Sequence, residues 1–374
     1  MIVRLLPIFI MLMSASDAVE QPTISALDFG AVPNDSLPDD EAIGKALRNA
    51  RAQGFSELRL PPGEYLISAP IQYVSGIDLV GAGCDRTTLK RSASSRGQMM
   101  FELNGTSEAT VRGITFEYSS APEFYRAIGF RGKGSKDISI ADNCFSDQRP
   151  ISRGGDRWAI ELSAQNSPSR HIVITNNHVD GNMQLTAGGG AGVARLRIID
   201  NIVIGAKANG IGISTLSDSA VFDDVEIRGN VILESASIGI FIGPDQNYAG
   251  GGIFRNINIS DNHIAGLTTR FGYGIFLRAS KGGFSKVSIE SNSIEGGTAA
   301  KLTAIRLTDD HGEGQRQFSD IRLCKNDVRQ FSRGIWLENA ETTIIGGNTM
   351  ATGRPYILDS SKNRDVRHVD MADC

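Results

Sequence analysis

The chain is poor in what marks a nucleic-acid-binding or membrane-spanning protein. Lysine plus arginine (38) and aspartate plus glutamate (42) nearly cancel, leaving a formal net charge of −4. That balance provides no basic footprint for nucleic acid and no cationic face for an anionic membrane. Aromatic residues make up only 7%, with two tryptophans. Cysteine is scarce as well. Cys84, Cys144, Cys324 and Cys374 lie far apart and match no zinc spacing. A chain of 374 residues can bury a core without disulfides, so Cys324 and Cys374, the conceivable pair, are not expected to bond.

The single apolar run worth noting is at the start. Arg4 precedes Leu5 to Met13, and Ser16-x-Ala18 follows as a small-residue cleavage site. This is the pattern of a secretory signal peptide over residues 1–18. The run is too short for a bilayer, which takes about 20 residues. The remainder, residues 19–374, is expected to be one domain, periplasmic or secreted, with no membrane partner.

What the chain does have is glycine, 42 residues of it, and repetition. The pattern apolar-x-apolar-x-x-Asn-x-apolar matches "ISIADNCF", "IVITNNHV", "LRIIDNIV", "VEIRGNVI", "INISDNHI", "VSIESNSI" and "IRLCKNDV", with "TIIGGNTM" a looser eighth copy. The asparagines, Asn143, Asn177, Asn201, Asn230, Asn262, Asn292, Asn326 and Asn348, follow one another at intervals of 22 to 34 residues. Periods of that size mark solenoids. Alternation of apolar and polar residues makes each unit strand rather than helix. Asparagine tolerates the left-handed backbone region, which suits it to a tight bend, and stacked asparagines can hydrogen-bond up a ladder. Between successive asparagines recurs a second strand type: "WAIEL", "NGIGIS", "GIFIG", "YGIFL", "TAIRL" and "GIWLE". One repeat is therefore strand, Asn bend, short strand, loop, Gly-Ile strand, loop. That is one turn of a parallel β-helix, rising about 4.8 Å per turn, the strand spacing of any sheet.

The N-terminal stretch "ALDFGAVPNDSLPDDEAIGKALRNARAQGFSELRLPPGEYLISAPI", followed by "GIDLVGAG", resembles the opening of the pectate-lyase-like superfamily. The shared pattern DFGA…DD…AI…A…LPPG-Y is carried by Asp28, Phe29, Gly30, Ala31, Asp39, Asp40, Ala42, Ile43, Pro61, Pro62, Gly63 and Tyr65. The resemblance implies an all-β fold: a right-handed parallel β-helix, a solenoid of about ten turns, with a short N-terminal capping helix. The cap is expected at about residues 38–55 and a polar tail at about residues 360–374. Asp39 is the expected N-cap of the helix, with Ile43 and Leu47 on its buried face. Superfamily members include polygalacturonases, pectate and alginate lyases, mannuronan epimerases, glucanases and phage tailspikes, so the fold alone does not choose an activity.

In relatives, polysaccharide lies along the sheet that corresponds to the Gly-Ile strands. Period-2 alternation turns Ile128, Ile160, Leu185, Ile211, Ile240, Ile275, Ile305 and Ile335 inward. It turns Gly129, Glu161, Thr186, Gly212, Phe241, Phe276, Arg306 and Trp336 outward. A second outward column holds Arg131, Ser163, Ser214, Gly243, Arg278, Thr308 and Glu338. Polygalacturonase motifs NTD, DD, GHG and RIK occur on this sheet. Here Trp158 stands for the first aspartate, Asn182 and Met183 for the paired ones, Asn209 for histidine and Thr308 for lysine; Arg306 remains. Inverting hydrolysis needs two carboxyls about 6.5–9.5 Å apart, so that activity is not expected. The YG-x-DPH motif of mannuronan epimerases is also missing.

Two clusters remain as candidates. Glu161, Asp156 and Arg157, with Arg131 a turn below, are expected to bind substrate, as are Asp245, Tyr248, Phe241, Phe276 and Trp336. Arg306, Arg278, Tyr273, Asp309, Asp310 and His311 are the candidate catalytic set. It suits β-elimination on a polymer containing uronic acid: a cation neutralises the substrate carboxylate and a base removes the adjacent proton. Asp309, Asp310 and Asp245 are also a candidate calcium set, since oxygen ligands suit that ion; no other cofactor is indicated. A hydrolase with Asp309 and Asp310 as acid and base, a noncatalytic glycan-binding adhesin, and a trimeric stalk stay open, the partner being polysaccharide and the assembly a monomer or homotrimer. His178 and His263 are expected to be ordinary surface residues.

Overall fold

Each asparagine unit is built as one rung, and the rungs stack. The computed structural model describes residues 23–92, 99–118, 126–147, 158–245, 250–269, 271–297, 301–309, 317–358, 363–370 and 374. One rung shows the plan: strand Val221–Arg228, the corner at Asn230, the short strand Val231–Leu233, and the Gly-Ile strand Ile238–Pro244. The next rung repeats it as Ile253–Ser260, Asn262, His263–Ala265 and Phe271–Ala279, every pairing being parallel. Stacking produces two long sheets, one of thirteen strands and one of twenty. The second contains both the short strands and the Gly-Ile strands, which merge in Asp327–Leu337. The result is a right-handed parallel β-helix, the hand that parallel crossovers take.

The asparagine corners line up, but the left-handed backbone sits one residue earlier than the sequence suggests. Asp142, Asn176, Asp200, Asp261, Ser291 and Lys325 have φ between 54° and 57°, and Gly229 and Gly347 occupy the same place. The asparagine that follows is freed to point inward. Asn230 Nδ2 donates to Asn262 Oδ1 at 2.9 Å, and its Oδ1 accepts from the backbone N–H and Nδ2 of Asn201, each at 3.0 Å. The same contacts run without a break from Asn143 to Asn348. Each buried amide thereby satisfies the backbone donor of the rung before it, which sharp corners otherwise orphan.

The thirteen-stranded sheet bends in mid-strand. Asp137, His171, Arg195, Asp224, Asn256, Lys286, Asp320 and Thr342 all take positive φ and are skipped in the pairing register. The core between the sheets is a stack of aliphatic and aromatic columns. In one aromatic column Phe222, Phe254, Phe284 and Phe318 lie face to face, with centroids 5.8, 4.5 and 5.0 Å apart, and in the earlier turns Phe116 stacks on Phe145 at 5.0 Å. The glycine of the Gly-Ile motif is a packing requirement. A Cβ on Gly239 would lie 2.6 Å from the Ile264 side chain and 2.7 Å from the Gly274 carbonyl.

Helix Asp40–Ala52 closes the N-terminal end with Ile43 and Leu47 fully buried. Asp39 precedes it but caps nothing. Its carboxylate instead accepts from Val32 N–H at 2.8 Å and Leu66 N–H at 3.0 Å, tying the cap to the first turns. At the other end, residues expected to be a polar tail form the thirteenth strand, Arg364–Val369, paired with Ala340–Gly346. The cysteine expectation is overturned. Cys84 bonds Cys144 and Cys324 bonds Cys374, with Cα atoms 5.6 and 5.7 Å apart. The coil brings together residues that sequence spacing separates by 60 and 50 positions.

Candidate functional site

The outer face of the Gly-Ile strands carries three side-chain columns, one more than alternation alone predicts. The added column runs through Trp158, Asn209, Ile238, Tyr273, Thr303 and Arg333. Gly129, Glu161 and Gln184 lead into Gly212, Phe241, Phe276, Arg306 and Trp336. Thr186, placed in this column by the sequence, belongs one column over, between Ser163 and Ser214. The register slips at Trp158–Ile160, where the partner strand has one residue fewer. Leu185 correspondingly pairs with Leu162 and Ile213, while Met183 takes the place opposite Ile160 and Ile211. Against the expected register this strand is shifted by two residues, Met183 rather than Leu185 lying opposite Ile160, which keeps every side chain on its own face, so the inside remains apolar.

The later turns gather most of the candidate catalytic set. Arg306 Nη1 donates to Tyr273 Oη at 2.7 Å. Its guanidinium carbon lies 4.3 Å from the Trp336 ring centroid and 5.6 Å from that of Phe276, one turn to either side. Tyr273 and Phe276 stack at 4.4 Å, Phe276 meets Phe241 at 5.7 Å, and Arg333 lies 4.7 Å from the Trp336 ring. Arg306 is thus held in a cation–π sandwich, an arrangement worth roughly 0.5–2 kcal/mol per contact. Its side chain is 21% exposed, and Glu338 Oε2 is 3.9 Å from Nη2. Thr308 Oγ1, which donates to the same Glu338 oxygen, adds a further contact to Arg306 Nη2 at 3.4 Å.

Arg278, in the adjacent turn, donates through Nη2 to the Pro244 carbonyl at 2.7 Å and lies 5.9 Å from the Phe241 ring. Asp309 Oδ2 accepts from Asn339 Nδ2 at 2.8 Å. Asp245 follows a strand two rungs away from that of Asp309, on the order of 10 Å at strand spacing. Among the described residues no three His, Cys, Asp or Glu side chains gather as a metal site. Asp310, His311, Tyr248, Asp156 and Arg157 lie outside the described residues, as does the signal-peptide stretch.

Glu161 belongs to a different cluster, five turns from Arg306. Its side chain is 6% exposed and is ion-paired to Arg126, itself 3% exposed; Arg131 Nε is 3.7 Å from its other oxygen. Arg126 in turn lies 4.4 Å from the Trp158 ring. Burial pushes the Glu161 carboxyl above its ordinary range, and the two guanidinium groups pull it part of the way back. Between the clusters the floor is amide and hydroxyl. Gln184 Nε2 donates to Ser214 Oγ at 3.2 Å and Thr186 Oγ1 to Ser163 Oγ at 2.7 Å. Sequence reading missed Arg126, Gln184, Arg333 and the role of Glu338. Glu338 was visible as an outward residue of the second column, whereas Arg126 and Arg333 needed the third. His178 and His263 do lie on the outer face of the short strands.

The fold has many solved relatives. The A-module of Azotobacter vinelandii mannuronan C-5 epimerase AlgE4 superposes with a TM-score of 0.58 and 17% identity, covering 91% of this chain and 99% of that one. Yersinia enterocolitica family 28 exopolygalacturonase gives 0.62 and 12%, covering 93% and 78%. PfbA, a surface adhesin of Streptococcus pneumoniae, gives 0.55 and 13%, covering 90% and 93%. At these identities the likeness is one of fold. No curated protein matches by sequence. A family model described as rhamnogalacturonase A/epimerase, pectate lyase-like, matches residues 23–268. The match takes in the N-terminal cap, the asparagine corners from Asn143 to Asn262 and the Gly-Ile strands as far as Ile238–Pro244, and ends before the strands that carry Tyr273 and Arg306; it spans more than half of the chain, which belongs to the rhamnogalacturonase A/epimerase, pectate lyase-like family.

Proposed function

We propose that the chain acts on an acidic, uronic-acid-containing polysaccharide and cleaves it by β-elimination on the outer face of the Gly-Ile strands. The observation that carries this reading is the Arg306–Tyr273 pair, 2.7 Å from Nη1 to Oη, on the floor of the groove. Elimination places negative charge on the uronate carboxyl as the C5 proton leaves, and a fixed guanidinium stabilises that charge best when it need not reorganise. The aromatic sandwich and Glu338 supply such fixity. The Tyr273 oxygen, ionised in the reacting state, takes the C5 proton. The C5–H electrons form the C4=C5 double bond, the C4–O bond breaks, and the departing oxygen receives a proton from the same phenol. Several structural relatives are by name polysaccharide enzymes, which supports the substrate class. Export of the chain is supported by the two disulfides, which persist in oxidising compartments. Among the described residues no helix is long and apolar enough to cross a membrane.

The test is to incubate the protein with polygalacturonate, alginate, glycosaminoglycans and bacterial exopolysaccharides, and to follow the ultraviolet absorbance of the unsaturated product. Arg306→Ala and Tyr273→Phe should each lower turnover on the order of a hundredfold or more. Full activity in either removes the assignment. New reducing ends without absorbance would mark a hydrolase. A noncatalytic glycan-binding protein is the second reading. It is favoured by the engagement of Asp309 with Asn339 and of Glu338 with Thr308 and Arg306, and would show binding with neither product.

A further inference from the structure

Resting on that reading, we infer that the groove holds a long stretch of one polysaccharide chain between two cationic anchors, and that Arg131 is the second anchor. Arg131 lies in the turn of Gly129, and Arg306 six rungs further on. At strand spacing the separation is on the order of 29 Å along the coil. Both arginines sit on the same outer face and both are held by a glutamate. Glu161 approaches Arg131 Nε at 3.7 Å, as Glu338 approaches Arg306 Nη2 at 3.9 Å. Arg131 is 44% exposed at the rim, while Arg126 lies beneath it, buried in its ion pair with Glu161 and against Trp158. Glu161 thus has a guanidinium at each carboxylate oxygen, and of the two it is Arg131 that reaches solvent.

The surface between the anchors fits a ligand running parallel to the coil axis. In the rungs of Gln184, Gly212 and Phe241 the strand residues on the outer face are uncharged: Gln184, Thr186, Asn209 and Ser214 provide amides and hydroxyls, and Gly212 and Gly243 provide none. Such a floor takes sugar hydroxyls by hydrogen bonding and neither attracts nor repels a carboxylate. Charge recognition is thereby confined to the two ends, and affinity should depend on whether a ligand is long enough to reach both. Linked contacts of this kind add strength only when geometry allows simultaneous engagement.

The experiment compares binding of uronic-acid oligomers of about three and about eight sugars, the longer sufficient to cover six strand spacings, to the wild-type protein and to Arg131→Ala. The expected result is that Arg131→Ala weakens the long oligomer by roughly three- to tenfold and the short one much less. As a check that needs no variant, the wild-type affinity for the long oligomer should fall more steeply with added salt than that for the short one. Equal losses for both lengths, or no loss for the long one, would overturn the second anchor while leaving the Arg306 site standing. Failure of the wild type to bind either length would overturn the proposed function and this inference together.

Discussion

Replacing Asn230 by alanine removes one amide from the middle of the ladder, and the structure states what is left behind. Asn230 Oδ1 accepts from Asn201 N–H and Asn201 Nδ2, and its Nδ2 donates to the Ile198 carbonyl at 2.9 Å and to Asn262 Oδ1 at 2.9 Å. The residue is fully buried, so water does not replace these partners. The Asn201 backbone N–H loses its acceptor, at about 1–3 kcal/mol, while Asn201 Nδ2 keeps the Ile174 and Ile199 carbonyls, and a small cavity adds to the loss. The expected destabilisation is about 2–4 kcal/mol. Asn348 is the control. It serves Asn326 in the same way, at 2.9 and 3.0 Å, but is only half-buried at the last corner, so solvent can take over and Asn348→Ala should cost about 1 kcal/mol. Urea denaturation of the two variants measures the difference through the midpoint, the slope staying constant if compactness is unchanged. If Asn230→Ala costs no more than Asn348→Ala, the ladder is not what holds the corners and the reasoning fails.

Other outcomes follow from the same contacts. The Cys84–Cys144 bond closes a segment of 60 residues, for which the chain-entropy account allows up to about 4 kcal/mol. A Cys84→Ser/Cys144→Ser variant should therefore melt several degrees lower, and reductant should have no further effect through this bond. Gly239→Val should cost about 1–3 kcal/mol by overpacking against Ile264 and the Gly274 carbonyl, read by thermal unfolding. Trp336→Ala opens one side of the Arg306 sandwich. It should lower turnover through a less fixed guanidinium more than it lowers the melting temperature, a split seen by running both assays on the same sample.

Most of the fold was legible because the coil writes its physics in short range. Period-2 alternation gave the inward isoleucines, and recurrence of asparagine gave the corners; both are properties of adjacent residues. What was misread depends on partners that the sequence does not order. The left-handed residue at each corner is the one before the ladder asparagine, as Asp142 and Ser291 are, because the ladder needs the asparagine side chain inside. "NMQLTA" lacks the Gly-Ile or Ala-Ile signal, so its register against "WAIEL" could slide by two residues without exposing anything apolar. The disulfides join cysteines that approach only through the stacking of turns. At the candidate site, Phe276, Arg306 and Trp336 were found because alternation places them in one outward column, and Tyr273 because it shares a turn with Arg278. Arg126 was missed because it lies in a third column, at the start of a strand, where alternation gives no warning.

The central claim is that an acidic glycan lies along the outer face of the Gly-Ile strands with a carboxylate on Arg306. A crystal structure of the protein with a bound uronic-acid oligosaccharide tests it most directly. The account predicts one sugar carboxylate within hydrogen-bonding distance of the Arg306 guanidinium, the adjacent C5 facing Tyr273 Oη, and the chain running along the coil axis. A ligand seated on the thirteen-stranded sheet, or one in this groove with every carboxylate turned away from Arg306, would contradict it.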